Sequence, residues 1–74
     1  SRMGEFELQN TIKVERAKRD MTQAELALKV GVSRKTINTI ETGKFVPSTI
    51  TALRIAQAFG LTIEEVFFLK ETVR

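Results

Sequence analysis

The stretch that decides the fold is Thr22-Gln23-Ala24-Glu25-Leu26-Ala27-Leu28-Lys29-Val30-Gly31-Val32-Ser33-Arg34-Lys35-Thr36-Ile37-Asn38-Thr39-Ile40-Glu41-Thr42-Gly43-Lys44. Thr22 with Glu25 three residues on is a capping box: the hydroxyl can accept from the amide of Glu25, and the carboxylate can reach back to the amide of Thr22. It opens a helix to about Val30, and Gly31 can take the left-handed conformation that stops it. Ser33 caps again at once, with Val32 before it as an apolar staple to Ile37. The second helix runs from Arg34 to about Thr42 and ends at Gly43. Two short helices joined through Gly31-Val32-Ser33 must cross steeply. Ala24, Ala27, Val30, Ile37 and Ile40 are expected to close the corner between them.

Upstream, good helix formers from Thr11 to about Arg19 predict a first helix, with Ile12, Val14 and Ala17 as its apolar positions. Downstream, Pro47 holds Val46 extended, and Ser48 caps a helix that Gly60 ends after Phe59. Ile50, Leu53, Ala56 and Phe59 read as its buried face. Thr62-Ile63-Glu64-Glu65 is a second capping box, opening a short fifth helix to about Phe67. The ends differ. Glu5 to Gln9 alternates polar and apolar, as a strand does, and Phe67-Phe68-Leu69 is apolar without helical spacing. These two extended ends could pair with each other or across a dimer. The expected fold class is therefore all-α, five helices, with the ends as candidate short terminal strands. Residues 1–8 read either as an N-terminal strand or as an expression remnant, since Glu-Phe-Glu-Leu is also what adjoining cloning sites encode. Residues 9–74 read as one domain.

At 74 residues with no Cys and no His, one small domain is expected, held by regular helix packing, by association, or by both. No disulfide can form, and the usual ligand sets for zinc, copper and iron are missing, so neither metal nor cofactor is expected. Without an imidazole base or a thiolate nucleophile, an enzyme is not expected either. Glu64 and Glu65 are a carboxylate pair, but adjacent helical positions diverge by about 100°, and both suit the positive end of a helix dipole. No apolar run approaches the roughly 18 residues of a membrane span, and no leader pattern precedes the domain, so a cytoplasmic protein is expected.

The formal charge is +3, from 12 basic and 9 acidic side chains. It is unevenly placed. Residues 13–44 hold Lys13, Arg16, Lys18, Arg19, Lys29, Arg34, Lys35 and Lys44 against Glu15, Asp20, Glu25 and Glu41, a local +4. A basic patch of this kind suits a phosphate-bearing partner; its plainer alternative is a solvated surface. On the helix from Arg34, Ile37 and Ile40 mark the inward side. The opposite side carries Lys35, Asn38, Thr39 and Thr42, with Arg34 at its flank. That side has no acid and offers groups of the kind that read base edges.

These residues together resemble the helix-turn-helix of the Xre family, the Cro and lambda-repressor type. The resemblance extends through Phe45-Val46-Pro47-Ser48, Ala52-Leu53-Arg54-Ile55-Ala56, Phe59 and Glu64-Glu65-Val66-Phe67. It covers roughly Asn10 to Glu71, and its specificity lies in the combination. It departs from many relatives at Glu15, where an apolar residue is common. It implies a five-helix DNA-binding domain whose third helix, from Arg34, lies in the major groove of double-stranded DNA. Carried over position by position, Arg34, Lys35 and Thr39 are the expected base-contacting residues, with Asn38 a fourth from the helical wheel. Gln23 matches the family's phosphate-binding glutamine. Thr22, Ser33, Thr36 and Lys44 are further phosphate candidates, although Thr22 and Ser33 are caps first. Arg16 and Glu41 correspond to a structural ion pair of the family, expected to link the first helix to the third.

One such module reads half a site, so the resemblance implies a homodimer on a palindromic operator. Val66, Phe67, Phe68 and Leu69 are the candidate interface, since a short fifth helix cannot hide them all; the alternative is a tail folded back on its own domain. The expected function is transcriptional regulation, with repression by promoter occupancy. The competing reading is an antitoxin-like module of the same fold that binds a toxin protein. The basic, polar outward face of the third helix separates the two.

Overall fold

Four side-chain caps begin four of the helices. Thr22, Ser33, Ser48 and Thr62 all lie in extended backbone, and each accepts from the amide three residues ahead. At Thr22 and Thr62 the capping box is closed in both directions, with Glu25 and Glu65 accepting from the cap amides at 2.8 Å. The computed structural model describes residues 5–72. In chain order its elements are β1 (Phe6–Asn10), α1 (Ile12–Lys18), α2 (Gln23–Val30), α3 (Arg34–Glu41), α4 (Thr49–Phe59), α5 (Ile63–Val66) and β2 (Phe67–Glu71). Of the stretch 1–8, Ser1 to Gly4 lie outside the described residues, and Phe6, Glu7 and Leu8 form the first part of β1.

The fold is mostly helical but not all-α, which corrects the expected class: a two-stranded antiparallel sheet joins the two ends of the chain. Its register pairs Phe6 with Glu71, Leu8 with Leu69 and Asn10 with Phe67. Because side chains alternate along a strand, these six share one face. Phe67 is buried and Leu8 packs on the core, so that face looks inward where it meets the helices, while Phe6, Leu69 and Glu71 are exposed. Phe68 lies on the opposite face with Glu7, Gln9 and Lys70. Thr11 extends the connection by donating its amide to the Val66 carbonyl at 2.9 Å.

The core is apolar throughout. Ile12, Leu26, Ile37, Ile40 and Ile55 are fully buried, each contributing about 1.5–3 kcal/mol of transfer free energy. Ala27, Val30, Ala52, Ala56, Phe59, Val66 and Phe67 complete it. Small Ala27, Ala52 and Ala56 let the helices approach closely.

Three expected faces are corrected. On α1 only Ile12 is buried, while Val14 and Ala17 face solvent. At the corner Leu26 is buried and Ala24 is exposed. On α4 the inward face is Ala52, Ile55, Ala56 and Phe59, leaving Ile50 and Leu53 exposed. That helix carries apolar residues on two sides, and packing against α2 and α5 selects between them. The fifth helix is shorter than expected, and Phe67 belongs to β2.

Glu15, the departure from the family pattern, is accommodated by a charged lid in place of apolar packing. It accepts from Arg19 Nη1 at 2.7 Å and pairs with Lys18 Nζ at 3.6 Å. Arg19 in turn lies over the Phe59 ring, 5.0 Å from its centre, and donates to the Phe59 carbonyl at 2.8 Å.

Candidate nucleic-acid interface

Helix α3 is the strongly amphipathic element. Ile37 and Ile40 anchor it in the core, so the side opposite must face outward. Arg34, Lys35 and Thr42 are exposed there, and Asn38, Thr39 and Thr36 are half-buried. Thr22, Ser33 and Lys44 are exposed around it, and Gln23 is half-buried at the start of α2. Arg16, Asp20, Met21, Thr22, Gln23 and Arg34 are among the residues that line an open depression where the α1–α2 turn meets the start of α3.

A connected polar network underlies this face. Arg16 donates from Nε to Glu41 Oε2 at 2.7 Å and from Nη2 to Glu41 Oε1 at 3.0 Å. Its third donor, Nη1, reaches the Met21 carbonyl at 2.9 Å. Gln23 Nε2 donates to Glu41 Oε1 and to Asn38 Oδ1, both at 3.0 Å. Gln23 Oε1 accepts from Arg34 Nη1 at 3.1 Å. Burial pushes the Glu41 carboxyl up, but hydrogen bonds from Arg16 and Gln23 outweigh it and hold the group below the usual carboxylate range. Glu41 is therefore charged at neutral pH and fixes the direction of every donor around it.

Two hydroxyls of α3 turn back onto their own helix. Thr39 Oγ1 donates to the Thr36 carbonyl at 2.9 Å, and Thr42 Oγ1 to the Asn38 carbonyl at 2.8 Å. Both hydroxyl hydrogens stay within the helix, so Thr39 and Thr42 present methyls and oxygen lone pairs. Ser33 Oγ and Thr36 Oγ1 lie 2.8 Å apart and share one hydrogen bond.

Of the four residues expected at a partner interface, Val66 and Phe67 are buried in this chain's own core, while Phe68 and Leu69 are exposed. Those two point from opposite faces of the two-stranded sheet.

Sequence reasoning missed Asn10. Its Oδ1 accepts from the Ile12 amide two residues on at 3.0 Å, a local turn at the start of α1, while Nδ2 donates to the Ile40 carbonyl at 3.0 Å, closing the end of α3. One side chain thus ties the end of α3 to the start of α1. An Asn just ahead of a helix start was the available signal. The Gln23–Asn38 bond had no signal, because it depends on where Glu41 points.

Two helices packed together across Gly31-Val32-Ser33, the second with an acid-free, partly basic outward face, define the class: a helix-turn-helix domain. The chain belongs to the helix-turn-helix family of the Xre type, whose family model matches residues 12–66. An uncharacterized HTH-type transcriptional regulator of Methanocaldococcus jannaschii is 45% identical over 64 residues, covering 86% of this chain and 97% of that protein. A Bacillus subtilis protein of the same description, YgzD, is 42% identical over 64 residues with the same coverage. Among solved structures, the restriction-modification controller protein C.AhdI from Aeromonas hydrophila superposes with a TM-score of 0.70 at 24% identity. That match covers 73% of this chain and 82% of the controller, and it shows the shared fold. Among the described residues no helix is long and apolar enough to cross a membrane.

Proposed function

We propose that this chain binds double-stranded DNA sequence-specifically and regulates transcription as a homodimer, repressing by promoter occupancy. The observation that carries this reading is the outward face of α3, which is free of acids and anchored by Ile37 and Ile40. Arg34 and Lys35 read base edges from the start of that helix, with Asn38 and Thr39 one turn further on. Guanine O6 and N7 suit Arg34 or Lys35, a contact that discriminates by about 1–3 kcal/mol. Thr39 contributes its methyl, which suits a thymine methyl. Thr22, Ser33, Thr36 and Lys44 meet phosphates and set the register on the duplex. Family membership supports the DNA-binding class, and the relatives' descriptions support transcriptional regulation.

A homodimer would place two α3 helices about 34 Å apart on a palindromic operator. In vitro selection of bound duplex DNA, run with the wild type and with Lys35→Ala, tests the reading. A recovered palindrome with one base position relaxed in the variant supports it. Failure to enrich any sequence across a range of salt overturns it in favour of a toxin-binding module.

A further inference from the structure

Phe68 and Leu69 are 47% and 64% exposed, on opposite faces of the two-stranded sheet. A partner docked flat on one face covers one of them and leaves the other in water. A strand added along the open edge of β2 lies level with the sheet and packs beside both. The backbone of that edge is free to receive it. Thr72 donates its amide to the Glu5 carbonyl at 2.7 Å, and Thr11 donates to the Val66 carbonyl at 2.9 Å. Both bonds join directly opposite residues, continuing the register of the sheet. Bonded and unbonded pairs alternate along an antiparallel ladder. Lys70 and Phe68 therefore bond Glu7 and Gln9 across the sheet, while Phe67, Leu69 and Glu71 turn their backbone groups to the outer edge. The Phe67 amide is already taken by the Ile63 carbonyl. Among the described residues nothing bonds the Leu69 and Glu71 amides or the Phe67 and Leu69 carbonyls.

We propose that a second copy of this chain pairs along that edge, β2 against β2, antiparallel and centred on Leu69, so that two domains share one four-stranded sheet. In this register the two Leu69 residues exchange both of their backbone bonds. The Glu71 amide of each copy donates to the Phe67 carbonyl of the other. Both free amides of the edge are then used, and the occupied Phe67 amide is not needed. The side chains agree with the backbone. Leu69 meets its own copy across the axis, on the face that carries Leu8. On the other face Phe68 lies opposite Lys70 of the second copy, a ring against an aliphatic stem. Centring the pair on Lys70 or on Glu71 would set like charges directly opposite each other. Centring it on Phe68 would leave each Glu71 amide beyond the end of the other strand. The two-fold axis stands perpendicular to the sheet, so both helical bodies lie on the same face of it. This inference rests on the homodimer reading and assigns that dimer an interface of backbone bonds.

The test compares sedimentation of the wild type, Leu69→Ala and Leu69→Pro, with folding checked by circular dichroism. Proline removes an amide that faces away from β1, so the ladder within one chain keeps its bonds. Leu69→Ala should still dimerise, more weakly, and Leu69→Pro should be monomeric. Amide hydrogen exchange of the wild type, measured by NMR at concentrations below and above dimerisation, reads the same edge without a substitution and carries the test if the proline variant does not fold. The Leu69 and Glu71 amides should slow by about tenfold or more on dimerisation. The Phe68 and Lys70 amides, already bonded within the chain, should slow less. A folded proline variant that dimerises as the alanine variant does overturns the proposal and leaves the homodimer reading standing. So does a wild-type dimer whose Leu69 and Glu71 amides exchange as fast as in the monomer. A wild type that stays monomeric at millimolar concentration removes both.

Discussion

Arg16 and Glu41 meet side-on, guanidinium fork to carboxylate, at 2.7 and 3.0 Å. The side chains are only 15% and 8% exposed. The same guanidinium holds the Met21 carbonyl, so one residue fastens α1, the turn before α2, and the end of α3. Helix α3 is oriented by a charge pair at its C-terminal end and by Asn10 at the same end.

Removing one partner of this pair leaves the other charge without compensation. Glu41→Ala should destabilise by about 3 kcal/mol. Arg16→Lys keeps the charge but loses the planar fork, and should cost about 1–2 kcal/mol. Urea unfolding measures both; equal losses for the two variants would show that charge alone matters and the fork does not.

Acid should weaken the fold. Glu41 titrates below its ordinary range because Arg16 and Gln23 together overcome the cost of its burial. Glu15 is lowered by its bond from Arg19, and Glu25 by the backbone amide of Thr22. A carboxylate lowered on folding contributes stability that is complete above its unfolded value, about 4.3 for Glu, and lost as pH falls through the folded value. Melting temperature should therefore stay flat from pH 7 to about 5 and drop below about 4, with a shallower drop in Glu41→Gln. A midpoint unchanged down to pH 3 would contradict this.

Gly31 and Gly43 should respond alike to alanine. Both have positive φ, +87° and +79°. A Cβ on Gly31 would lie 3.7 Å from Arg54 Nη1, ordinary contact, and one on Gly43 would meet nothing within 4 Å. Backbone strain is then the whole cost, about 1–2 kcal/mol at each, and Gly31→Asn should cost less than Gly31→Ala. A loss at Gly31 well beyond that at Gly43 would mean Arg54 cannot give way.

Phe67 and Phe68 should separate sharply. Phe67→Ala removes a core ring and should cost about 3–5 kcal/mol. Phe68→Ser and Leu69→Ser change exposed positions and should leave the folded chain nearly as stable, within about 0.5 kcal/mol, while shifting any dimer toward monomer by analytical ultracentrifugation. Phe68 and Leu69 variants with wild-type association would move the interface elsewhere.

Lys44 and Lys35 should differ in kind. Lys44→Ala should weaken all DNA sequences about equally and reduce the salt dependence by about one phosphate contact. Lys35→Ala should relax one base position. Binding isotherms on cognate and scrambled duplexes at several salt concentrations distinguish them.

Caps and the turn between α2 and α3 were legible because their signals are local: Thr22 with Glu25, Gly31, Ser33 and Thr62 with Glu65 act within one turn, whereas Leu26 in place of Ala24 at the corner depends on packing. The faces of α1 and α4 were not. Thr49–Phe59 offers Ile50 and Leu53 on one side and Ala52 and Ile55 on the other, and only tertiary packing chooses. At the candidate site the outward residues of α3 could be named from Ile37 and Ile40. The directions of their hydrogen bonds could not, since Thr39 answers to a carbonyl of its own helix and Asn38 to a carboxylate three residues on, through Gln23.

The sheet that joins the ends also sets an order of events. The α2–α3 corner closes from residues near in sequence, whereas Thr72 bonds the Glu5 carbonyl 67 residues away. A chain emerging from the ribosome can form its helix pair early, but it cannot seat Phe67 in the core or pair β1 until β2 has cleared the exit tunnel. The latch that completes the domain is thus the last of its own elements to be made. A message truncated before Phe67 would release a chain that has α2 and α3 and lacks the closure that holds them.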